Sequence, residues 1–310
     1  MCGLWYKKIN MESGLILFNK PAGITSFDAL RDIKRALGTG KVGHSGTLDK
    51  FASGLLIVLV GKSLRLSRWF SHCDKKYKGR IKFGVETDTL DPEGKETAEA
   101  ALPLREDVER VLSQFTGNIM QTPPAFSAIH INGKRASSLA RSGIQPEMKE
   151  RPVNVYKLEL LSWEPPYADI FVHCSSGTYI RSLARDIALA AGSRGHLVSL
   201  IRTQIAGFCL ESEKLEVMSE EYKINCIDRK VISLLGMPWF DVSKQEKQDI
   251  LHGKPLCLIL GNKQLSISSL HTTHSTLLTL TAAVFEGEEL IAVIEKEDNS
   301  WKYGCVLKER

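Results

Sequence analysis

The longest apolar run in this chain is six residues, Leu55 to Val60, bounded by Gly54 and Gly61. That length between glycines reads as a buried strand and is far too short to span a bilayer. Tyr77 to Gly84 alternates instead, as a strand with one covered face does. Leu15 to Phe18, Val155 to Trp163 and Ile170 to Ser175 read as further strands. Three segments read as helices. Thr25 or Ser26 can cap one that runs to about Leu37 and stops at Gly38; Arg105 to Phe115 ends at Gly117; Tyr179 to Ala191, capped by Thr178, stops at Gly192. The mixture lacks regular βαβ spacing, so it predicts an α+β protein rather than a doubly wound parallel sheet. Met237-Pro238-Trp239 reads as a boundary. Beyond it come short strands, Leu256 to Leu260, Leu277 to Phe285 and Leu290 to Glu295, which predict a small β-rich module. The expected units are therefore residues 1–240 and 241–310.

Composition narrows this picture. A hydrophobic fraction of 43% over 310 residues is that of a globular protein with a sizeable core. Net charge is only +5, but residues 1–90 hold 16 Lys/Arg against 7 Asp/Glu. The first third thus has the electrostatics of a polyanion-binding surface, although a solubilising basic face reads the same way. Seven scattered cysteines include no C-x-x-C pair. That argues against a zinc site or disulfide framework and for a reducing cytoplasm. Met1 to Asn10 lacks the apolar core of a secretory signal.

The candidate chemistry centres on Gly43-His44-Ser45-Gly46-Thr47-Leu48-Asp49, set just before the buried run. Glycines let a backbone approach a bulky ligand closely. A carboxylate offered from such a loop, backed by a rigid strand, is placed to react with something large. Asp49 alone could equally close the turn through its own hydrogen bond. Gly61-Lys62-Ser63 suggests a phosphate-binding loop, but Leu56 stands where that pattern needs a glycine. Asp88 and Asp91 have the ligand type for a metal and nothing further to support one.

Four more segments extend the pattern in order. They are Lys76-Tyr77 followed by Thr87-Asp88-Thr89-Leu90-Asp91; Gln121 to Ala128 continuing to Gly133 and Ala140-Arg141; Arg151 to Tyr156; and Gly177-Thr178-Tyr179-Ile180-Arg181, followed by Leu200-Ile201-Arg202-Thr203. Together the five segments closely resemble the TruB family of tRNA pseudouridine synthases, of the stand-alone bacterial type, over most of residues 14–208. The resemblance implies the pseudouridine synthase fold, a mixed and largely antiparallel central sheet flanked by helices. It also implies a small PUA-like RNA-binding module at the C-terminus and an RNA-clamping insertion at about residues 121–152.

Its implied activity is cofactor-free isomerisation of the T-loop uridine of tRNAs, position 55, by a monomer acting on the T-arm; a non-catalytic T-loop-binding or RNA-folding protein is the alternative. In family terms Asp49 is the catalytic acid, acting at the sugar as nucleophile or at C2′ as base. Arg181 is its partner, and Tyr77 stacks on the uracil and assists loss of the C5 proton. His44 fills the space the base vacates, Leu200 packs on the base, and Asp91 supports the site. Lys20 lies near phosphate or the acidic cluster, while His130, Lys134, Arg135 and Arg141 face phosphates. No metal is expected. The sequence also departs from the family. Lys50 replaces the usual proline after the acid, which predicts a looser loop and a lowered Asp49 pKa. Gly61-Lys62-Ser63-Leu64-Arg65 replaces the usual Gly-x-Ala-Thr-Lys, Ser137 an aromatic, and Ile201 a second arginine.

Overall fold

A computed structural model describes residues 13–210, 222–261, 281–298 and 300–307. Strand β1 (Gly14–Lys20) leads to helix α1 (Ser26–Leu37), then to β2 (Val42–His44) and β3 (Ser53–Val60). Short helix α2 (Ser67–Ser71) turns the chain into β4 (Lys75–Phe83). A ribbon of β5 (Val85–Thr87) and β6 (Glu96–Glu99) precedes α3 (Arg105–Leu112) and β7 (Gly117–Gln121). A second ribbon, β8 (His130–Ile131) with β9 (Lys134–Arg135), carries α4 (Ala136–Arg141). Then come the β10 (Arg151–Glu164) and β11 (Tyr167–Cys174) hairpin, α5 (Ile180–Ala190), β12 (Gly195–Ile205) and β13 (Phe208–Cys209). The C-terminal part holds α6 (Arg229–Leu234), β14 (Trp239–Asp241), α7 (Lys244–Leu251), α8 (Leu256–Leu260), β15 (Thr281–Glu286), β16 (Glu289–Glu297) and β17 (Ser300–Val306).

The main sheet runs β1-β3-β12-β4-β11-β10-β7, with β2 added on β3 and β13 on β12. Every pairing is antiparallel except β3 with β12, so the sheet is mixed and largely antiparallel. The six-residue apolar run is apolar throughout because β3 is covered on both faces. Leu56, Val58 and Val60 pack with Ala29, Leu30 and Ile33 of α1, while Leu55, Ile57 and Leu59 pack with Trp69, Phe70 and Val231. Helix α1 is fixed by a reciprocal cap, in which Thr25 Oγ1 accepts from the Asp28 N–H and Asp28 Oδ2 accepts from the Thr25 N–H, and by Gly38 at φ 62°.

Two local expectations fail. Leu256–Leu260 is the helix α8, not a strand: it starts after Pro255, and Ile259 and Leu260 pack against Ile250 of α7. Thr178 does not cap α5. Its hydroxyl donates to the Ser175 carbonyl, and the Gln121 side chain holds the helix start instead, accepting from the Tyr179 N–H at 2.8 Å and donating to the Tyr179 carbonyl at 3.1 Å. The expected strand start at Leu277 lies outside the described residues.

The second sheet runs β14-β15-β16-β17, so its first strand straddles residue 240. One face of this sheet packs on α7 and α8 through Val284, Ile291 and Ile294. The other face, with Ala283, Phe285 and Val293, joins the same buried cluster as Leu15, Leu55 and Trp69. Among the described residues no helix is long and apolar enough to cross a membrane.

Candidate active site

The loop that carries Asp49 fills a fork in the sheet. Along one edge of β3, β12 pairs with Ser53 and Gly54, while β2 pairs with Val58 to Val60. Between them the loop returns, and Ser45 donates its N–H to the Ile57 carbonyl at 3.0 Å. The fork leaves carbonyls that neither strand reaches, and the Arg202 side chain takes them. Its Nε donates to the Leu55 carbonyl at 2.7 Å and its Nη2 to the Gly46 carbonyl at 3.0 Å, with Nη1 at 3.5 Å from the Thr47 carbonyl. Arg202 is only 1% exposed, and burial pulls its pKa down. Gly54 is required beneath it: at φ +107°, a Cβ there would lie 2.4 Å from the Arg202 carbonyl oxygen.

Along the chain Arg202 stands only as part of a motif, with no role of its own. Its signal was a cation facing inward in a strand, legible only once β12 is paired with β3 and β4. Arg202→Met is expected to cost about 2–4 kcal/mol in a denaturant titration, because it strands buried carbonyls.

The loop is also stitched to α1. Ser26 Oγ donates to the Leu48 carbonyl at 3.0 Å and accepts from the Leu48 N–H at 2.9 Å, and Gly23 N–H donates to the Lys50 carbonyl at 2.8 Å. Asp49 is thereby held from both sides. Its side chain, 39% exposed, receives a two-pronged contact from Arg181, Nε to Oδ2 at 2.9 Å and Nη2 to Oδ1 at 3.2 Å. Arg181 has its other face on Asp91, Nη1 to Oδ2 at 3.0 Å, and donates to the Thr89 carbonyl at 2.8 Å and the Phe126 carbonyl at 3.0 Å. Its side chain is 6% exposed and that of Asp91 7%. A cation in the first turn of a helix is poorly placed against the helix dipole; here two carboxylates compensate it.

Asp91 is itself fixed by Thr89 Oγ1 at 2.6 Å and the Glu93 N–H at 3.0 Å. The turn that presents it includes Leu90 at φ 61°, a strained conformation for a leucine.

Burial raises the Asp49 pKa above the ordinary carboxylate value; Arg181 opposes the rise, and Asp91 and Glu93 add to it. The expected net lowering of the Asp49 pKa does not occur: burial outweighs it, and the Lys50 ammonium sits against Glu93, at 3.2 Å. Tyr77 lies opposite Arg202 on neighbouring strands and is 7% exposed. Burial pushes its phenol up to about 12, with the Arg202 cation opposing, so at neutral pH it is a neutral hydroxyl and not a phenolate base. Leu200, 6% exposed, lines the same cavity as Asp49, Tyr77 and Arg181. That cavity is about 610 Å³, and Arg135 and Arg141 line it as well.

The other expected residues fall outside the cavity lining. His44 Nδ1 accepts from the Gly46 N–H at 3.3 Å, and burial, then Arg202, lowers its pKa, leaving a neutral ring. Of the two places expected for Lys20, the structure fits the acidic cluster and not phosphate: it is fully buried, donates to the Pro21 and Ile24 carbonyls at 2.9 and 2.7 Å, and feels the Asp49 charge. Burial lowers its pKa to about 8, while Asp49 opposes that. Lys134 is exposed on the β8–β9 ribbon. Among the described residues no group of three or more His, Cys, Asp or Glu could hold a metal ion.

Residues 34–180 match the TruB family pseudouridylate synthase N-terminal domain. The chain is 47% identical over 208 residues to tRNA pseudouridine synthase B of Borreliella afzelii, covering 66% of this chain and 74% of that protein. It belongs to the TruB family of pseudouridylate synthases. A second relative, tRNA pseudouridine synthase B of Francisella philomiragia, is 38% identical over 250 residues, 78% of this chain and 82% of its own length. In fold, the TruB-family chain resembles a solved Cbf5–Nop10–Gar1 complex, with a TM-score of 0.69 at 24% identity over 95% of this chain and 85% of that one. The chain is accordingly an isomerase, a pseudouridine synthase.

Proposed function

We propose that this synthase converts the T-loop uridine of tRNAs, position 55 in standard tRNA numbering, to pseudouridine, with Asp49 as the reacting carboxylate. The observation that carries the reading is the Asp49 carboxylate held by the Arg181 fork in a cavity that Tyr77 and Leu200 also line. The name borne by the relatives, tRNA pseudouridine synthase B, supports the choice of RNA.

In this isomerisation the C1′–N1 bond of uridine breaks, the uracil turns, a C1′–C5 bond forms, and the C5 proton leaves. As the C5 proton passes to water, N1 takes one up, so the change is redox-neutral and the chemistry itself calls for no nicotinamide, ATP or metal. Asp49 acts at the ribose, as nucleophile at C1′ or base at C2′, and Arg181 keeps it ionised and aimed. The uridine must leave its stack to reach Asp49, at a cost of a few kcal/mol. Tyr77 offers the flipped base an aromatic face and a neutral hydroxyl, and Leu200 an apolar wall. The neutral His44 ring stacks in the vacated space. Asp91 holds Arg181, and Lys20 stiffens the turn before α1. Lys134, Arg135 and Arg141 meet phosphates, which position RNA without reading its sequence. The C-terminal sheet serves as a PUA-like contact with the same RNA, and the enzyme works as a cytoplasmic monomer.

The test is tritium release from a T-arm stem-loop labelled at C5 of the target uridine. Release supports the reading. RNA binding without release puts the binding-only alternative ahead. The acid limb of kcat/KM should lie above the ordinary aspartate range: activity needs the carboxylate and falls as pH drops through the raised Asp49 pKa. A pH–rate profile checks this, and a limb at or below about 3.9, the ordinary aspartate value, counts against it.

A further inference from the structure

Lys50 follows the acid directly in the chain, and its contact has a definite geometry. Its ammonium sits 3.2 Å from a Glu93 carboxylate oxygen, and the two side chains are 53% and 46% exposed. Glu93 has a second contact: its backbone N–H donates to Asp91 Oδ1 at 3.0 Å. Asp91 reaches Arg181 through its other oxygen, and Arg181 reaches Asp49. Asp49 is bonded in the chain to Lys50. The contacts therefore form a closed ring, from Asp49 through Arg181, Asp91, Glu93 and Lys50 back to Asp49.

We infer that Lys50 and Glu93 are positioning residues for Asp49, their ion pair closing the ring that ties the loop of the acid to the turn of Asp91. The inference rests on Asp49 being the reacting carboxylate. A proline after the acid would stiffen this loop by fixing φ. Here an ion pair supplies the restraint from outside the backbone, and it also keeps the Glu93 charge from acting alone on Asp49. Titratable groups that act on Asp49, or on which Asp49 acts, include Lys20, Tyr77, Asp91, Glu93, Tyr179 and Arg181. Glu93 and its partner Lys50 are both exposed, whereas Asp91 is buried, so the Glu93 charge can be removed without stranding a buried partner. An exposed pair contributes only modestly and is screened by salt, so the effect belongs to catalysis more than to folding.

The test uses the full chain, the tritium-release assay on the T-arm stem-loop, and carbon-13 NMR titration of the Asp49 carboxyl in the free protein. Lys50→Gln and Glu93→Gln should each lower kcat about two- to fivefold with KM unchanged, and the swapped pair Lys50→Glu/Glu93→Lys should recover most of the loss. The Asp49 midpoint should move down in Glu93→Gln and up in Lys50→Gln, each by about half a pH unit. A change in KM alone would mean that Lys50 serves the RNA phosphates, and it overturns the inference. So does a swap no better than the singles, or a midpoint unmoved in both variants. The carbon-13 titration needs no turnover. A wild-type protein that releases no tritium therefore sinks the synthase proposal, while the ion pair is still judged by the two midpoints.

Discussion

Asp49→Asn should release no tritium, a loss of at least about 10⁴-fold, while the variant still folds and holds RNA. Asparagine has nearly the same shape and still accepts a hydrogen bond from Arg181, so the loop stitched by Ser26 and Gly23 has no reason to move. What disappears is the charge, and an amide is neither a nucleophile at the sugar nor a base at C2′. Stability distinguishes this from a folding defect. Burial raises the Asp49 pKa in the folded protein, so the charged form is disfavoured there and this group's contribution to stability falls as pH rises through that value. At neutral pH the variant should melt at or above the wild-type temperature. Residual release near wild-type rates would end the assignment of Asp49.

Arg181→Leu should lose activity too, but for a second reason it should also lose stability. The Arg181 and Asp91 side chains are 6% and 7% exposed, so removing the cation leaves a buried carboxylate without its counter-ion. That situation typically costs about 3–5 kcal/mol. The Thr89 and Phe126 carbonyls lose a donor as well. A denaturant titration measures the cost, and the control is Arg181→Leu combined with Asp91→Leu. Replacing both partners should recover much of the stability and none of the activity, since Asp49 still lacks its fork. A single variant as stable as wild type would show that Asp91 does not depend on Arg181.

Much of this was legible along the chain, for reasons that differ by residue. Thr25, Asp28 and Gly38 announce α1 through local hydrogen bonds and one left-handed residue, and local signals survive folding. Leu55 to Val60 announces a strand because covering both its faces requires an uninterrupted apolar run. The Asp49–Arg181 partnership came from the family pattern and not from spacing, since 132 positions separate the two. Other features needed the third dimension. Leu256 to Leu260 is too short and too evenly apolar for its period to separate helix from strand, and only packing on Ile250 decides. Gln121 caps a helix 58 residues away, which no local rule for caps anticipates. Lys20 is expected near phosphate or the acidic cluster, but its burial beneath two carbonyls of the following turn has no local signal.

The cluster that joins Ala283, Phe285 and Val293 to Leu15, Leu55 and Trp69 has a consequence for how this protein can change over generations. A module tethered by a linker can be lost, exchanged or duplicated without harm to its neighbour. Here each unit supplies a wall of the other's interior. Substitutions in the two halves must therefore accommodate each other, and deleting the tail would open the core beneath the strand that supports the reactive loop.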